Sequence, residues 1–175
     1  SATEDTGLTI AAADLLLNDT DVDGDALSLA SVGNAVSGTV TLDGSGDVVF
    51  TPDPDFSGSA SFGYTASDGQ GGTSTATVTV DVAAVNDAPT VSGPVALTVN
   101  EDGTLSISEA DLLANASDVD GDGLSVGGVV LNGSGTIVDN GNGTWSYTPP
   151  ADWNGQASFD YTVSDSALNI AASAS

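Results

Sequence analysis

The 175-residue sequence contains no lysine, arginine or histidine, and no cysteine or methionine. Each absence excludes something. Without a cation the chain has no means of gripping a nucleic-acid phosphate backbone or an anionic membrane surface. Without cysteine there is neither a disulfide framework nor a thiolate metal site. Without His, Cys or Lys the ordinary general bases and nucleophiles are missing, and the many serines have no His partner. No apolar run is long enough to span a bilayer. These absences predict no enzyme, no nucleic-acid partner and no direct membrane insertion.

What is present is acid. All 25 charged side chains are Asp or Glu, for a formal charge of -25. A folded body so charged repels itself, and salt or bound divalent cations must offset it. Hydrophobic residues still make up 39%, enough to fill a core.

The sequence repeats itself. Glu4-Asp5-Thr6-Gly7-Leu8-Thr9-Ile10 matches Glu101-Asp102-Gly103-Thr104-Leu105-Ser106-Ile107, 97 residues on. The same offset pairs Asp14-Leu15-Leu16 with Asp111-Leu112-Leu113, and Asp21-Val22-Asp23-Gly24-Asp25 with Asp118-Val119-Asp120-Gly121-Asp122. It also pairs Phe62-Gly63-Tyr64-Thr65 with Phe159-Asp160-Tyr161-Thr162. Two copies of one domain follow, expected at 1–86 and 87–175. Under this offset Ser175 falls at the equivalent of Val78. The first copy is then expected to lack its first strand and the second to stop inside its last, both ends reading as cut from a longer array.

Alternation sets the fold class. Ala60, Phe62, Tyr64 and Ala66 share one face, as do Ala157, Phe159, Tyr161 and Val163. A period of two with polar residues between marks half-buried antiparallel strands. Gly38 to Pro52 predicts two strands around Asp43-Gly44-Ser45-Gly46, and Asn132-Gly133 and Asn140-Gly141 predict turns. Ala12 to Leu17 and Ser108 to Ala114 predict one or two helical turns, the latter with a Ser108–Asp111 capping signature. Short strands at regular spacing predict an all-β, two-sheet sandwich in each copy. Trp145 and Trp153 align with Val48 and Phe56, which favours core positions over exposed sugar platforms.

Asp19-Thr20-Asp21-Val22-Asp23-Gly24 opens like a calcium loop, with acids at alternate positions and then a glycine. It is not an EF-hand, because the twelfth position is Ala30 and the second copy has Ala116 at the first. It is either a partial cation site needing ligands from elsewhere or an Asx turn. Asn86 and Asp87 in the linker, Glu4 and Glu101 near the start of each copy, and Asp68 and Asp165 after the aromatic strand are candidates to complete a cage.

These residues resemble the cadherin-like tandem repeats of large calcium-dependent bacterial surface adhesins, the RTX-adhesin type. Val85-Asn86-Asp87-Ala88-Pro89 resembles the Asn-Asp-Asn-Ala-Pro linker of cadherins. Glu101 resembles their early Glu, Asp118-Val119-Asp120-Gly121 their Asp-Ala-Asp loop, and Asp165 and Asp68 their late Asp. The resemblance implies cadherin-like or Ig-like Greek-key sandwiches binding Ca2+. It implies one junction site from Glu4, Asn86, Asp87, Asp118, Asp120 and Asp165, with Asp122 in the place of a lost ligand. Asp21, Asp23, Asp25 and Asp68, and separately Glu101, become half-sites towards neighbouring repeats. No Leu-Asp-Arg-Glu motif is present. The implied role is a secreted, cell-surface extender in adhesion, biofilm or surface filaments. Its partners would be neighbouring repeats, identical subunits, surface glycans or other surface proteins. A carbohydrate-binding module and a fibre subunit joined by strand exchange are the rival expectations.

Overall fold

A computed structural model describes residues 1–175. The chain is all-β and forms two compact units, Ser1–Val85 and Asn86–Ser175. Asn86 therefore groups with the second unit rather than closing the first.

The first unit contains β1 (Ala2–Thr3), β2 (Leu8–Ile10), β3 (Ser28–Val36), β4 (Gly38–Leu42), β5 (Val48–Pro52), β6 (Gly58–Ser67) and β7 (Thr73–Ala83). One sheet has the order β1-β7-β6-β3 and the other β2-β5-β4. All pairs are antiparallel except β1 with β7. The period-two pattern places Ala60, Phe62, Tyr64 and Ala66 on the buried face of β6. Ala60 and Phe62 meet Val48 and Phe50 of β5 and Val80 and Val82 of β7. The Phe50 and Phe62 rings stack at 5.9 Å and close the space between the sheets. Burial grows along β7, from an exposed Ala76 to the buried Val80 and Val82. The expected hairpin forms around Asp43, whose Oδ1 accepts the Ser45 and Asp47 N–H groups. Gly46 takes φ +87° there, a conformation glycine enters without steric cost.

The second unit contains β8 (Thr90–Val91), β9 (Leu105–Ser108), β10 (Ala116–Ser117), β11 (Ser125–Asn132), β12 (Thr136–Asp139), β13 (Thr144–Thr148), β14 (Ser158–Ser164) and β15 (Asn169–Ala174). Two three-stranded sheets, β11-β14-β15 and β12-β13-β9, enclose Ile107, Leu112, Trp145, Tyr147, Phe159, Tyr161 and Val163. A small pair, β8 with β10, stands beside them. Tyr147 and Phe159 meet edge to face at 5.2 Å. Their equivalents, Phe50 and Phe62, stack instead. The Tyr147 hydroxyl donates to the Ser134 carbonyl at 2.8 Å and fixes its ring. Trp145 is 7% exposed and part of this core. Trp153 is half-buried.

The helical expectation holds at one turn in each unit, α1 (Ala12–Leu15), followed by a 3-10 turn at Leu16–Asn18, and α2 (Glu109–Leu112). A tyrosine moors each. Tyr64 donates towards Asp19 Oδ2 at 2.9 Å and the Leu15 carbonyl at 3.3 Å, and Tyr161 donates to the Leu112 carbonyl at 2.9 Å.

Two expectations need correction. The first unit is not wholly without its first strand, because Ala2 and Thr3 pair in parallel with Val82 and Ala83. The 97-residue offset also fails in the last strand. Phe62 faces Val78, but Phe159 faces Ala174, so Ala174 and not Ser175 is the equivalent of Val78. The cause is a shorter turn: Asp68 N–H reaches the Gly72 carbonyl, whereas Asp165 N–H reaches the Leu168 carbonyl.

Candidate metal centre

The acidic loops are built by their own aspartates. Asp21 Oδ1 accepts the N–H groups of Asp23 and Asp25 at 2.9 and 3.1 Å. Asp118 Oδ1 accepts those of Asp120 and Asp122 at 3.0 and 3.2 Å. Gly24 and Gly121 turn the chain at φ +81° and +78°. The Asx-turn reading is therefore realised in both copies. The Asx turn uses one carboxylate oxygen and leaves the other outside those bonds. Asp118 Oδ2 is buried and has no hydrogen-bond partner. An anionic oxygen in that position is costly unless a cation meets it.

Two linker residues tie this loop to the late aspartate. The Asn86 side-chain amide donates to Asp165 Oδ2 at 2.7 Å, and the Asp87 N–H donates to Asp120 Oδ2 at 2.8 Å. Asp165 is 3% exposed, and its Oδ1 accepts the Ala167 and Leu168 N–H groups at 2.7 and 2.6 Å. The Leu168 N–H, then the Asn86 amide, hold the Asp165 carboxyl below the ordinary carboxylate range, against the opposing effect of burial. Asp165 is thus an anion at neutral pH although it is buried. Five expected ligands of the second unit, Asn86, Asp87, Asp118, Asp120 and Asp165, belong to one hydrogen-bonded group. Asp122 enters it only through its backbone, and its side chain is exposed.

In the first unit a cleft of about 210 Å3 gathers Asp19, Asp21 and Asp68. Asp23 and Asp25 lie outside it and are exposed. Asp68 Oδ1 is occupied by its own turn, accepting from Gln70 and Gly72 at 2.7 and 2.9 Å. Asp19 was absent from the expected half-site because Ala116 stands at its place in the second copy. Its signal was the first position of the Asp-x-Asp-x-Asp-Gly run. Burial, then the hydrogen bond from Tyr64 to Asp19 and the charge on Asp19, push the Tyr64 phenol up, so it stays a donor.

The two early glutamates differ. Glu4 is 2% exposed, its N–H donates to the Ala83 carbonyl at 3.1 Å, and its carboxylate accepts the Val85 N–H. Glu101 is exposed beside Asn100, Pro149 and Trp153. Within the first unit, Glu4 and Asp68 mark opposite ends. Gly58 pairs with Val82 near Glu4, and Ser67 pairs with Thr73 near Asp68. β6 between them spans ten residues, about 30 Å at strand rise.

The donor set is carboxylate and amide oxygen throughout. That suits a hard divalent cation such as Ca2+ and fits neither zinc nor copper. The buried Asp118 Oδ2, which has no hydrogen-bond partner, fits such an ion as well.

A family model for the cadherin-like domain matches residues 1–83 and again 85–175. The chain therefore belongs to the cadherin-like domain family, as two tandem adhesion-type domains of the kind found in extracellular proteins. Among solved structures, the human mucin-like protocadherin EC1-2 is 17% identical, with TM-score 0.46, covering 99% of this chain and 91% of that one. The protocadherin gamma B7 extracellular cadherin domains 1-4 are 12% identical, with TM-score 0.44, over 99% of this chain and 47% of that one. The endo-fucoidan hydrolase MfFcnA4 of glycoside hydrolase family 107 is 20% identical, with TM-score 0.34, over 99% of this chain. This chain spans about a quarter (26%) of that hydrolase's length. No curated protein matches the sequence. No helix is long and apolar enough to cross a membrane.

Proposed function

We propose that the two domains are a calcium-stiffened extender of a secreted cell-surface protein of the bacterial RTX-adhesin type, and that they are not catalytic. The observation that carries the calcium reading is the Asp118 carboxylate. One oxygen holds the acidic loop, and the other is buried without a protein donor. Asn86, Asp87, Asp118, Asp120 and Asp165 would hold the ion, which supplies positive charge to a chain that has none. Asp122 stands outside the first ring of ligands. Asp21 and Asp68, with Asp19, would form a second site facing a preceding repeat, and Glu101 a contribution to a following one. Asp23 and Asp25 would then serve the turn.

Calcium binding to the folded state alone stabilises it in proportion to the logarithm of ion concentration. In low calcium the uncompensated charge favours expansion, which suits export of an unfolded chain. The ion then favours folding outside the cell. The test is thermal unfolding of the intact chain in millimolar calcium and in chelator. The proposal expects a large fall of the second unit's midpoint in chelator, and an Asp120→Ala chain that no longer responds. Equal midpoints in the two buffers would remove the reading. The carbohydrate-binding alternative is weakened by the burial of Trp145.

A further inference from the structure

Asparagine followed by glycine occurs in the second unit at Asn132-Gly133, Asn140-Gly141, Asn142-Gly143 and Asn154-Gly155, and nowhere in the first. In such a pair the glycine nitrogen, unshielded by a side chain, can attack the asparagine amide carbon and close a five-membered succinimide. The structure treats these pairs differently.

Asn142 and Gly143 lie exposed in the turn between β12 and β13. The Thr144 hydroxyl donates to Asn142 Oδ1 at 2.7 Å. Its direction is fixed, because the Asn140 side-chain amide donates to Thr144 Oγ1 at 2.9 Å and leaves the hydroxyl proton to point at Asn142. No hydrogen bond engages the Gly143 N–H or the Asn142 amide nitrogen. Glu109 reaches the same glycine from α2. Its N–H donates to the Gly143 carbonyl at 3.0 Å, and its Oε2 lies 3.6 Å from the point that a Cβ on Gly143 would occupy. Its Oε1 accepts the Val126 N–H at 2.8 Å, which holds the carboxylate in place with the other oxygen over the glycine. Other acids near the turn are committed elsewhere. Asp139 Oδ1 accepts the Gly141 N–H at 2.8 Å, and Asp111 closes the capping box. β11, which anchors Glu109, and β13, which follows the turn, carry no acid.

The remaining pairs lack this arrangement. The Asn140 amide is tied to Thr144 and Ser146, and the Gly141 N–H is taken by Asp139. Asn132 gives its amide to Asp160 Oδ2 at 2.6 Å and sits in the β11 ladder. The cleft that holds Asn154 has no hydroxyl side chain in its lining.

We propose that Asn142-Gly143 is a self-deamidation site, in which Thr144 stabilises the reacting amide oxygen and Glu109 takes the proton from the glycine nitrogen. The Gly143 nitrogen attacks Asn142 Cγ, and the charge that grows on Oδ1 meets the Thr144 hydroxyl. The Gly143 N–H proton passes to Glu109, directly or through one water. The bond from Cγ to the amide nitrogen then breaks, and ammonia leaves with that proton. Water opens the succinimide at either carbonyl and gives aspartate or isoaspartate at position 142. One water enters and one ammonia departs, with no change of oxidation state. This chemistry is independent of the calcium reading.

The intact chain is incubated at mildly alkaline pH, folded and in denaturant. It is then digested with pepsin in acid, since trypsin has no Lys or Arg to cut at. Mass spectrometry reads aspartate and isoaspartate at each Asn-Gly pair. In the folded chain Asn142 should react at least tenfold faster than Asn132, Asn140 or Asn154, and in denaturant that preference should vanish. Thr144→Val should slow Asn142 at least tenfold, and Thr144→Ser should restore it. Should Thr144→Val fail to fold, the comparison of folded and denatured parent chain decides. Glu109→Gln keeps an oxygen for the Val126 N–H. It should slow the reaction and make its rate rise more steeply with pH, because hydroxide replaces the lost base. An Asn142 rate no greater than the others in the folded chain, or one unchanged by Thr144→Val, would overturn the proposal. So would a Glu109→Gln chain with the parent's rate and pH profile.

Discussion

The first unit starts its helical turn at Ala11, which has no side chain to cap it. The second starts at Ser108, whose hydroxyl caps Asp111 while Asp111 reaches back to the Ser108 N–H, a complete capping box. The first unit meets the same need from a distance, through Asp47 in the β4–β5 turn. Asp47 Oδ1 accepts the Ala12 N–H at 3.0 Å. The late aspartates show the converse. Asp165 is buried and clamped by Asn86, while Asp68 is half-buried and holds only its own turn. One fold thus reaches the same helix start by a local and a remote bond. It reaches a buried acid only where a linker residue faces it. The repeat conserves the places where oxygens are needed, and each copy satisfies them with what lies nearby.

The largest expected effect separates the two cores. Phe159→Ala removes a ring 2% exposed and should cost the second unit about 3–5 kcal/mol. Calorimetry should show the first unit's transition in place, and a matching fall of both would refute their independence. Next comes the late aspartate. Asp165→Asn should lower the second unit's midpoint clearly more than Asp68→Asn lowers the first's, because Asp165 is the more buried and is bonded by both Asn86 and its own turn. Smaller still are the helix starts. Ser108→Ala should cost the second unit about 1 kcal/mol, and Asp47→Ala should cost the first a similar amount although it lies 35 residues from the helix. A null result for Asp47→Ala would break the parallel.

The smallest effect depends on pH. The Ser108 hydroxyl, then the Ser108 N–H, hold the Asp111 carboxyl below its ordinary value. A carboxyl with a lowered native pKa contributes stability above the unfolded value, about 3.9. It loses that stability as pH falls through the native value. The difference between wild type and Asp111→Asn should therefore be steady from pH 7 to 5 and shrink below pH 4. A difference independent of pH would remove the charge from the capping box.

Much of this was legible in the residues. The period of two in β6 and β14 gave the buried faces, because a half-buried sheet permits no other pattern. The Ser108–Asp111 spacing gave the cap, since a capping box is local. The turn at Asp43 followed from glycine and Asx chemistry. Other features were not legible because they join residues far apart. Asp47 capping α1 spans 35 positions, and Asn86 meeting Asp165 spans 79. For the second of these, only the family resemblance hinted that the two residues meet. The shorter turn at Asp165–Leu168 changed the register of β15 without a visible gap, because Ala and Ser repeat there. In the acidic loop, alternating aspartates gave two readings. Only the structure shows one oxygen in the turn and the other buried.

The most direct test of the account is calorimetric titration of calcium into the intact chain, against the same chain carrying Asp118→Asn. Asparagine keeps an oxygen for the turn and removes the charge. The account predicts saturable calcium binding to the parent chain that is lost or weakened at least tenfold in the variant. Calcium heats that do not saturate, or that are the same in both chains, would contradict it.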